Sequence, residues 1–431
     1  MRQARLWARL VGVENAVVER VVFGEDDGVL VVSVRPARQR RRRCGICRRR
    51  APGYDQGHGR RRWRALDLGR VRVFVEADAP RVCCPRHGIV VAAVPWARHG
   101  AGHTYAFDEQ VAWLATQCSK TAVTQLMRVS WRTVGAIVAR VWADVDGLVD
   151  RLAGLRRIGI DEISWKKGHK YLTVVVCHDS GRLVWAGSGR DRATLRAFFA
   201  ALGPGRSAQI THISADGADW IADVVARHCP AAVVCADAFH VVSWATDALD
   251  QVRRQVWNLA RHEAGGSKRH VQGPGRATQR AVGAARTLKR CRWALWKNPD
   301  TLTEQQTAKL AWIAKTGPIP YRAYLLKEGL RAVFQIAKTN ADDAVVALDR
   351  WASWARRSRI PAFVALQRRI AAHRTAILAT INHRLSNGRI ESMNTKIRLI
   401  TRMAFGFHSA DALIALAMLS LGGHRPTLHS K

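Results

Sequence analysis

The spacing of apolar residues changes along this chain, and the changes divide it. Residues 1–105 hold short apolar runs such as VLVVSV at 29–34, a pattern that predicts β-strands. Residues 106–152 switch to helical spacing. There 121–127 predicts a short helix, Arg128 and Val129 a turn, and Ser130 the N-cap of a second helix ending near Trp142, the outline of a helix-turn-helix. Residues 153–243 return to strands: 158–163, 171–177 and 182–188 in succession, a helix over 191–202, a strand over 209–215 ending in Asp216-Gly217, another helix, and a strand over 231–236 running into Asp237-Ala-Phe-His240. Residues 244–385 read as mostly helical, with a Gly-rich basic loop at 263–276 and seven tryptophans that belong mainly to a core. In the segment 386–425, Asn387-Gly388 signals a turn. Ile390, Met393, Ile397 and Ile400 then recur at spacings of three and four, the mark of an amphipathic helix. Residues 426–431 are a tail.

The resulting expectation is a multidomain α/β protein. It has an N-terminal zinc-binding β module, a helix-turn-helix, and an RNase H-like mixed sheet interrupted by an all-α insertion, because strand, strand, strand, helix, strand, helix, strand, helix is the order of that sheet. The 431 residues carry 70 Lys and Arg against 33 Asp and Glu, a formal charge of +37, which calls for a polyanionic partner. Double-stranded DNA is the expected one. No apolar run reaches the roughly 18 residues needed to span a bilayer, and the first ten residues lack a secretory apolar segment, so a cytoplasmic location and no membrane partner are expected. Nine scattered cysteines argue against a disulfide framework and leave metal binding or burial.

Spacing decides between these for four of the nine. Cys44-Gly-Ile-Cys47 and the later Cys83-Cys84-Pro-Arg-His87 suit tetrahedral Zn²⁺, with Cys44, Cys47, Cys84 and His87 as ligands and Cys83 as the alternative third. Arg48, Arg49 and Arg50 beside the first knuckle are expected to meet phosphates, and Arg132 and Thr133 to lie at the start of the recognition helix. Elsewhere the informative residues are acids. Glu391 is the only acid between Asp349 and Asp411, set among twelve Lys and Arg. It shares a helical stripe with Asn394 and Arg398, where carboxylate, amide and guanidinium could converge on a metal ion beside a phosphate, while Lys396 and Arg402 on the same helix are further expected DNA contacts. Phosphodiester chemistry by in-line attack wants two Mg²⁺ (or Mn²⁺) ions held by oxygen ligands. Asp161 on the first strand, Asp216 at the tip of the fourth and Glu391 on the late helix are the acids such a sheet would bring together.

These motifs carry a resemblance. CPRHG with the following VPWAR, TAVTQLMRVSWRTV, IGIDEISWKKGHKYLTVV, HISADGADW, DAFHVV and NGRIESMNTKIRLITRMAFGF together resemble the insertion-sequence transposases of the ISL-three family, over nearly the whole chain. The resemblance implies a DDE active site with Asp161, Asp216 and Glu391 as metal ligands and Asp237 and His240 in support. It also implies an enzyme of the bacterial nucleoid that binds the terminal inverted repeats of its element, cuts DNA there and joins the ends to target DNA, working as a homodimer or higher oligomer. Two other readings remain at this point: a transposase-derived DNA-binding regulator without catalysis, and an RNase H-like nuclease without strand transfer.

Overall fold

The computed structural model describes residues 2–24, 28–216, 218–266, 290–385, 387–426 and 428. Gly217 of the Asp216-Gly217 pair, residues 267–276 of the expected basic loop and most of the expected tail lie outside them; residues 263–266 of that loop continue a helix. The chain forms two compact units, Met1–Arg151 with Ile397–Lys431, and Leu152–Lys396.

The first unit opens with a helix that the strand-like patterning did not separate, α1 (Arg2–Leu10). Seven strands follow: β1 (Ala16–Gly24), β2 (Val29–Pro36), β3 (Gly53–Asp55), β4 (Arg60–Arg64), β5 (Arg72–Asp78), β6 (Arg81–Cys84) and β7 (Gly88–Val91). They form one sheet in the order β1-β2-β5-β4 and a smaller one in the order β3-β6-β7. Alternation along β5 buries Val73, Val75 and Ala77 against Val32, Val34, Trp63 and Trp96, with the two Trp rings edge to face at 5.6 Å.

Three helices come next, α2 (Tyr105–Gln117), α3 (Lys120–Met127) and α4 (Trp131–Leu148). Each starts at a hydroxyl that accepts a backbone N–H, from Thr104, Ser119 and Ser130 in turn. Arg128 takes the left-handed conformation (φ 52°) that ends α3, and α4 runs six residues past the expected end at Trp142, because Trp142 and Val145 still face the apolar cluster shared by these helices. Asp108 is fully buried in α2, a position tolerable only because Arg98 and Arg140 both donate to its carboxylate.

The second unit is built on a sheet of β8 (Arg157–Lys166), β9 (Lys170–Cys177), β10 (Leu183–Ser188), β11 (His212–Ala215) and β12 (Val233–Ala236), ordered β10-β9-β8-β11-β12. The first three are antiparallel hairpin neighbours; β11 lies parallel to β8 and to β12. Counted from the first strand this order is 3-2-1-4-5, the RNase H-like mixed sheet. β11 is three residues shorter than expected, because the preceding residues turn through the short helix α6 (Pro204–Ser207) after α5 (Arg192–Leu202). α5 and α7 (Asp219–His228) cover one face through Leu195, Phe198, Phe199, Ile221 and Val224.

The helical insertion grows directly out of the sheet, since α8 (Ala238–Gly266) starts two residues after β12 and runs on into it. It continues as α9 (Arg292–Trp296), α10 (Glu304–Thr316), α11 (Pro318–Ile336), α12 (Ala341–Arg357), α13 (Pro361–Ala372) and α14 (Arg374–His383) around a core holding Trp244, Leu326, Leu330, Trp351 and Phe363. Trp293 and Trp354 are exposed. α14 returns to the sheet, where Thr380 Oγ1 donates to the carbonyl of Ala236 at 2.6 Å. α15 (Gly388–Met403) then begins in the second unit and ends in the first, and α16 (Ala410–Leu421) packs on α2 and α4.

Candidate functional site

Two clusters of chemically active side chains stand out, one on each unit. In the second unit the acids come from four elements that have different reasons to be there. Asp161 lies on β8, opposite Val174 of β9. Asp216 follows the last residue of β11, and Asp237 follows β12 at the start of α8, where its Oδ1 accepts the backbone N–H of Phe239 at 3.2 Å. Parallel β11 and β12 end level with each other, Ala215 opposite Ala236, so the two aspartates leave the sheet at the same edge.

Glu391 sits in the first turn of α15. That helix can approach β8 because position 159 is a glycine: a Cβ there would meet Ile390 Cδ1 at 2.0 Å and His178 Nε2 at 2.8 Å. The close approach lets Asn394, itself buried, donate from Nδ2 to Asp161 Oδ2 at 2.7 Å across 233 residues of sequence. His240 links the other pair. Its Nδ1 is 2.6 Å from Asp237 Oδ2 and its Nε2 is 3.8 Å from Asp216 Oδ2.

Electrostatics tie the acids together. Burial pushes the Asp161 carboxyl above the usual carboxylate range, the Glu162 backbone N–H and the His240 charge oppose this, and Asp237 and Asp216 add to it. Glu391 is raised by burial first, then by Asp237 and Asp161, with His240 opposing. His240 is pushed up to about 9, first by its hydrogen bond to Asp237 and then by Asp216 and Asp161, so it is a cation at neutral pH. Partly buried carboxylates that repel one another offer the oxygen donors a hard divalent cation takes, and among the described residues the cysteine-histidine group of the first unit is the one whose ligand atoms already gather within 4.8 Å. Asn394 Oδ1, buried and without a partner, adds an acceptor next to them.

Sequence reading missed Glu162. Its side chain is 6% exposed, Arg190 Nε approaches Oε2 at 3.2 Å, and Oε1 is buried with no hydrogen-bond partner. Burial carries its carboxyl up to about 7, against Arg190 and with help from Asp161 and Asp216. The adjacent Asp161-Glu162 pair in an apolar strand was the available signal. Of the other expected site residues on α15, Lys396, Arg398 and Arg402 are exposed, unlike Asn394.

In the first unit, one ligand atom each from Cys44, Cys47, Cys84 and His87 lie within 4.8 Å of one another. Cys47 Sγ is 3.8 Å from Cys84 Sγ, and His87 Nδ1 is 3.6 Å from the sulfurs of both Cys44 and Cys84. A tetrahedral Zn²⁺ with Zn–S near 2.3 Å and Zn–N near 2.05 Å sets edges of about 3.8 and about 3.6 Å, so the residues fit that ion. Cys83, the next residue on β6, is exposed, as strand alternation requires. Gly45 is needed in the first knuckle, because a Cβ there would lie 2.5 Å from the carbonyl oxygen of Val91. Hydrogen bonds from the backbone at Arg86, His87 and its ring bring Cys84 down to about 6, toward the thiolate that binds metal.

Arg48, Arg49 and Arg50 project from this knuckle, exposed, with Arg48 over the ring of Tyr105 and bonded to its hydroxyl. At the start of α4, Arg132 is exposed and the Thr133 N–H is taken by the Ser130 cap. No described helix is long and apolar enough to cross a membrane.

Comparison with known proteins gives matches along the same segments. A family model described as a transposase matches residues 158–417. The model for the helix-turn-helix domain of transposase family ISL3 matches residues 92–142, and that for the zinc-finger of transposase IS204/IS1001/IS1096/IS1165 matches residues 40–87. The chain is 62% identical over 436 residues to the transposase for insertion sequence element IS1557 of Mycobacterium tuberculosis, covering 99% of this chain and 98% of the relative. It is 27% identical over 417 residues to the transposase for insertion sequence element IS1001 of Bordetella parapertussis, covering 95% and 96%. Matched over more than half its length by the family's transposase model and by such a relative, this chain belongs to the ISL3 family of transposases.

Proposed function

We propose that this chain binds the terminal inverted repeats of its own insertion sequence, cuts DNA at the element ends and joins the freed 3′-OH to target DNA, with Asp161, Asp216 and Glu391 as the carboxylates of one metal site. The observation that carries the reading is the Asn394 to Asp161 hydrogen bond, which holds the helix of Glu391 against the strand of Asp161 beside the Asp216, His240 and Asp237 chain. Two Mg²⁺ ions bound there would supply activation of the attacking oxygen and stabilisation of the leaving one. The protein's own groups have separate tasks. The three carboxylates supply oxygen ligands, Asn394 fixes the rotamer of Asp161, and Asp237 orients His240, which holds a proton at Nε2 toward Asp216. Zn²⁺ at Cys44, Cys47, Cys84 and His87 is structural in this reading, with four protein ligands and no open position.

DNA binding falls to the zinc module with Arg48, Arg49 and Arg50, and to the helix-turn-helix with Arg132 and Thr133; Lys396, Arg398 and Arg402 on α15 add phosphate contacts. The domain division that goes with this reading is 1–105, 106–152, 153–243 with 386–425, and the insertion 244–385.

The test is cleavage and strand transfer on duplexes carrying the inverted repeats that flank the gene, in Mg²⁺ or Mn²⁺. Asp161→Asn, Asp216→Asn and Glu391→Gln should each abolish both reactions while end binding persists, and the losses should be non-additive. Asn394→Ala should need about 10- to 100-fold more metal. Parental cleavage by Glu391→Gln would remove the third ligand from the scheme. Cleavage without strand-transfer products would favour a nuclease, and end binding without cleavage a regulator.

A further inference from the structure

Beside the acid cluster, inside the second unit, lies a cavity of about 370 Å³ that the chemistry above does not use. Its walls come from the first turns of α8, the end of α11 and the end of α14, and they include Phe239, Phe334, Lys338, Arg384, Asn298 and Gln335. Phe239 is 64% exposed, while Val241, Ala245, Leu249 and Val252 of the same helix are buried. It stands between Asp237 and His240 in sequence, and its ring meets that of His240 edge to face at 6.1 Å. The cavity therefore opens next to the group that touches Asp216.

The lining chemistry is that of a nucleotide. Phe239 and Phe334 supply aromatic rings for a planar base, Asn298 and Gln335 supply amide donors and acceptors for its edge, and Lys338 and Arg384 are exposed cations for a phosphate, Arg384 also donating to the Thr339 carbonyl at 3.1 Å. Arg331, also in the wall, is already taken by Glu328 at 2.7 Å. No carboxylate among the described residues lines the cavity. A size above the lower limit for a small-molecule site and a net positive wall match one unpaired nucleotide of a DNA strand.

We propose that this cavity receives a nucleotide extruded from the duplex at the cleavage junction, with its base against Phe239 and its phosphate toward Lys338 and Arg384. The proposal rests on the DNA-cleaving reading given above. Extrusion would bring the backbone of the neighbouring junction phosphate out of the helical stack and toward Asp216 and His240, and the cost of unstacking would be offset by the aromatic contact.

The test uses the full-length protein and a duplex of the flanking terminal repeat with 2-aminopurine placed at each junction position in turn. Bound parental protein should change the fluorescence at one position only, by about twofold or more, as an unstacked base does on meeting an aromatic side chain. Phe239→Ala should abolish that change and slow cleavage about tenfold, with end affinity held within about twofold. Phe239→Trp should restore both. An abasic nucleotide at the same position should recover much of the Phe239→Ala loss, because nothing is then left to unstack; a merely structural defect would not recover. Lys338→Ala, exposed and just past the end of α11, should give a weaker version of the same pattern without touching the turn that holds His240.

If parental protein cleaves these duplexes but no junction position changes in fluorescence, the pocket proposal is wrong and the transposase reading stands; a cavity that serves another protein segment would give this result. Parental cleavage by Phe239→Ala, or a slowed reaction that the abasic nucleotide leaves slow, overturns it equally. If the parent binds the ends and never cuts them, both proposals fall together.

Discussion

Gly159 shows how one residue can decide a site without belonging to its chemistry. Its missing Cβ is the space that Ile390 occupies, and Ile390 and Asn394 are one helical turn apart on α15. Gly159→Ala is therefore expected to push α15 off β8, destabilising the protein by about 1 to 3 kcal/mol and costing more activity than stability, because the Asn394 bond to Asp161 lengthens. Chemical denaturation alongside cleavage assays checks it, and equal activity in the stable fraction would refute it.

His178 is a second residue whose state the interior dictates. Buried, beside the cations of Arg389 and Arg157 and 2.7 Å from Ser214 Oγ, it is pushed down to about 4. Between that value and about 6.5 the unfolded chain binds a proton that the folded one refuses, so stability should fall as pH drops through this window, by up to about 3 kcal/mol. Glu162, raised to about 7 from an ordinary 4.5, works the other way: between those values the unfolded chain has released a proton that the folded one keeps, so stability falls as pH rises through that window. The informative measurement is accordingly the difference between parent and His178→Gln, which keeps a polar partner for Ser214 and should lose the His178 part of the acid slope. Parallel stability curves for the two proteins from pH 4 to 7 would contradict the assignment.

Among the elements, α9 depends on a single cation. Lys327, 1% exposed on α11, donates from Nζ to the carbonyls of Leu295, Trp296 and Lys297 at 3.0, 3.5 and 3.4 Å and pairs with Glu328. These are the last carbonyls of a five-residue helix, which no turn of its own can satisfy. Lys327→Met keeps the length of the side chain and removes the donor, leaving those carbonyls short of a partner and Glu328 with Arg331. A loss of about 3 kcal/mol is expected, read by thermal or denaturant unfolding. A loss below about 0.5 kcal/mol would mean that water replaces the lysine. Since α9 and α11 help frame the insertion core, hydrogen exchange in α9 should rise first.

Across the whole molecule the charge of +37 should dominate how binding responds to salt. Affinity for any duplex should fall steeply as salt rises, and replacing Arg48, Arg49 and Arg50 by Ala should flatten the slope of log affinity against log salt by up to about 2.7, at about 0.9 for each phosphate that is no longer neutralised. Arg132→Ala should act differently, weakening the terminal repeat by about 1 to 3 kcal/mol and a scrambled duplex far less. Titrations at several salt concentrations with both duplexes separate the two effects. An unchanged slope in the triple variant would mean that the knuckle arginines do not neutralise phosphates.

What the sequence determined by itself is everything governed by short range. Ser130 with its following helix, the apolar stripe of Ile390, Met393 and Ile397, and the Cys-x-x-Cys and Cys-x-x-His pairs are patterns within a few residues, where backbone geometry leaves few alternatives. The order of strands and helices also carried the mixed sheet, since short connections and the twist of parallel strands prune the topologies. Tertiary structure decided the rest. Asn394, Glu391 and Arg398 looked alike as one stripe of α15, yet Asn394 is buried against β8 while Arg398 is exposed, because packing, which spacing does not encode, sets the rotation of a helix about its axis. Cys84 was the expected third zinc ligand with Cys83 as its alternative, and strand alternation buries Cys84 while leaving Cys83 exposed. Glu162 stands beside Asp161 in an apolar strand of the sequence, but only the place of β8 between β9 and β11 buries it and raises its carboxyl to about 7.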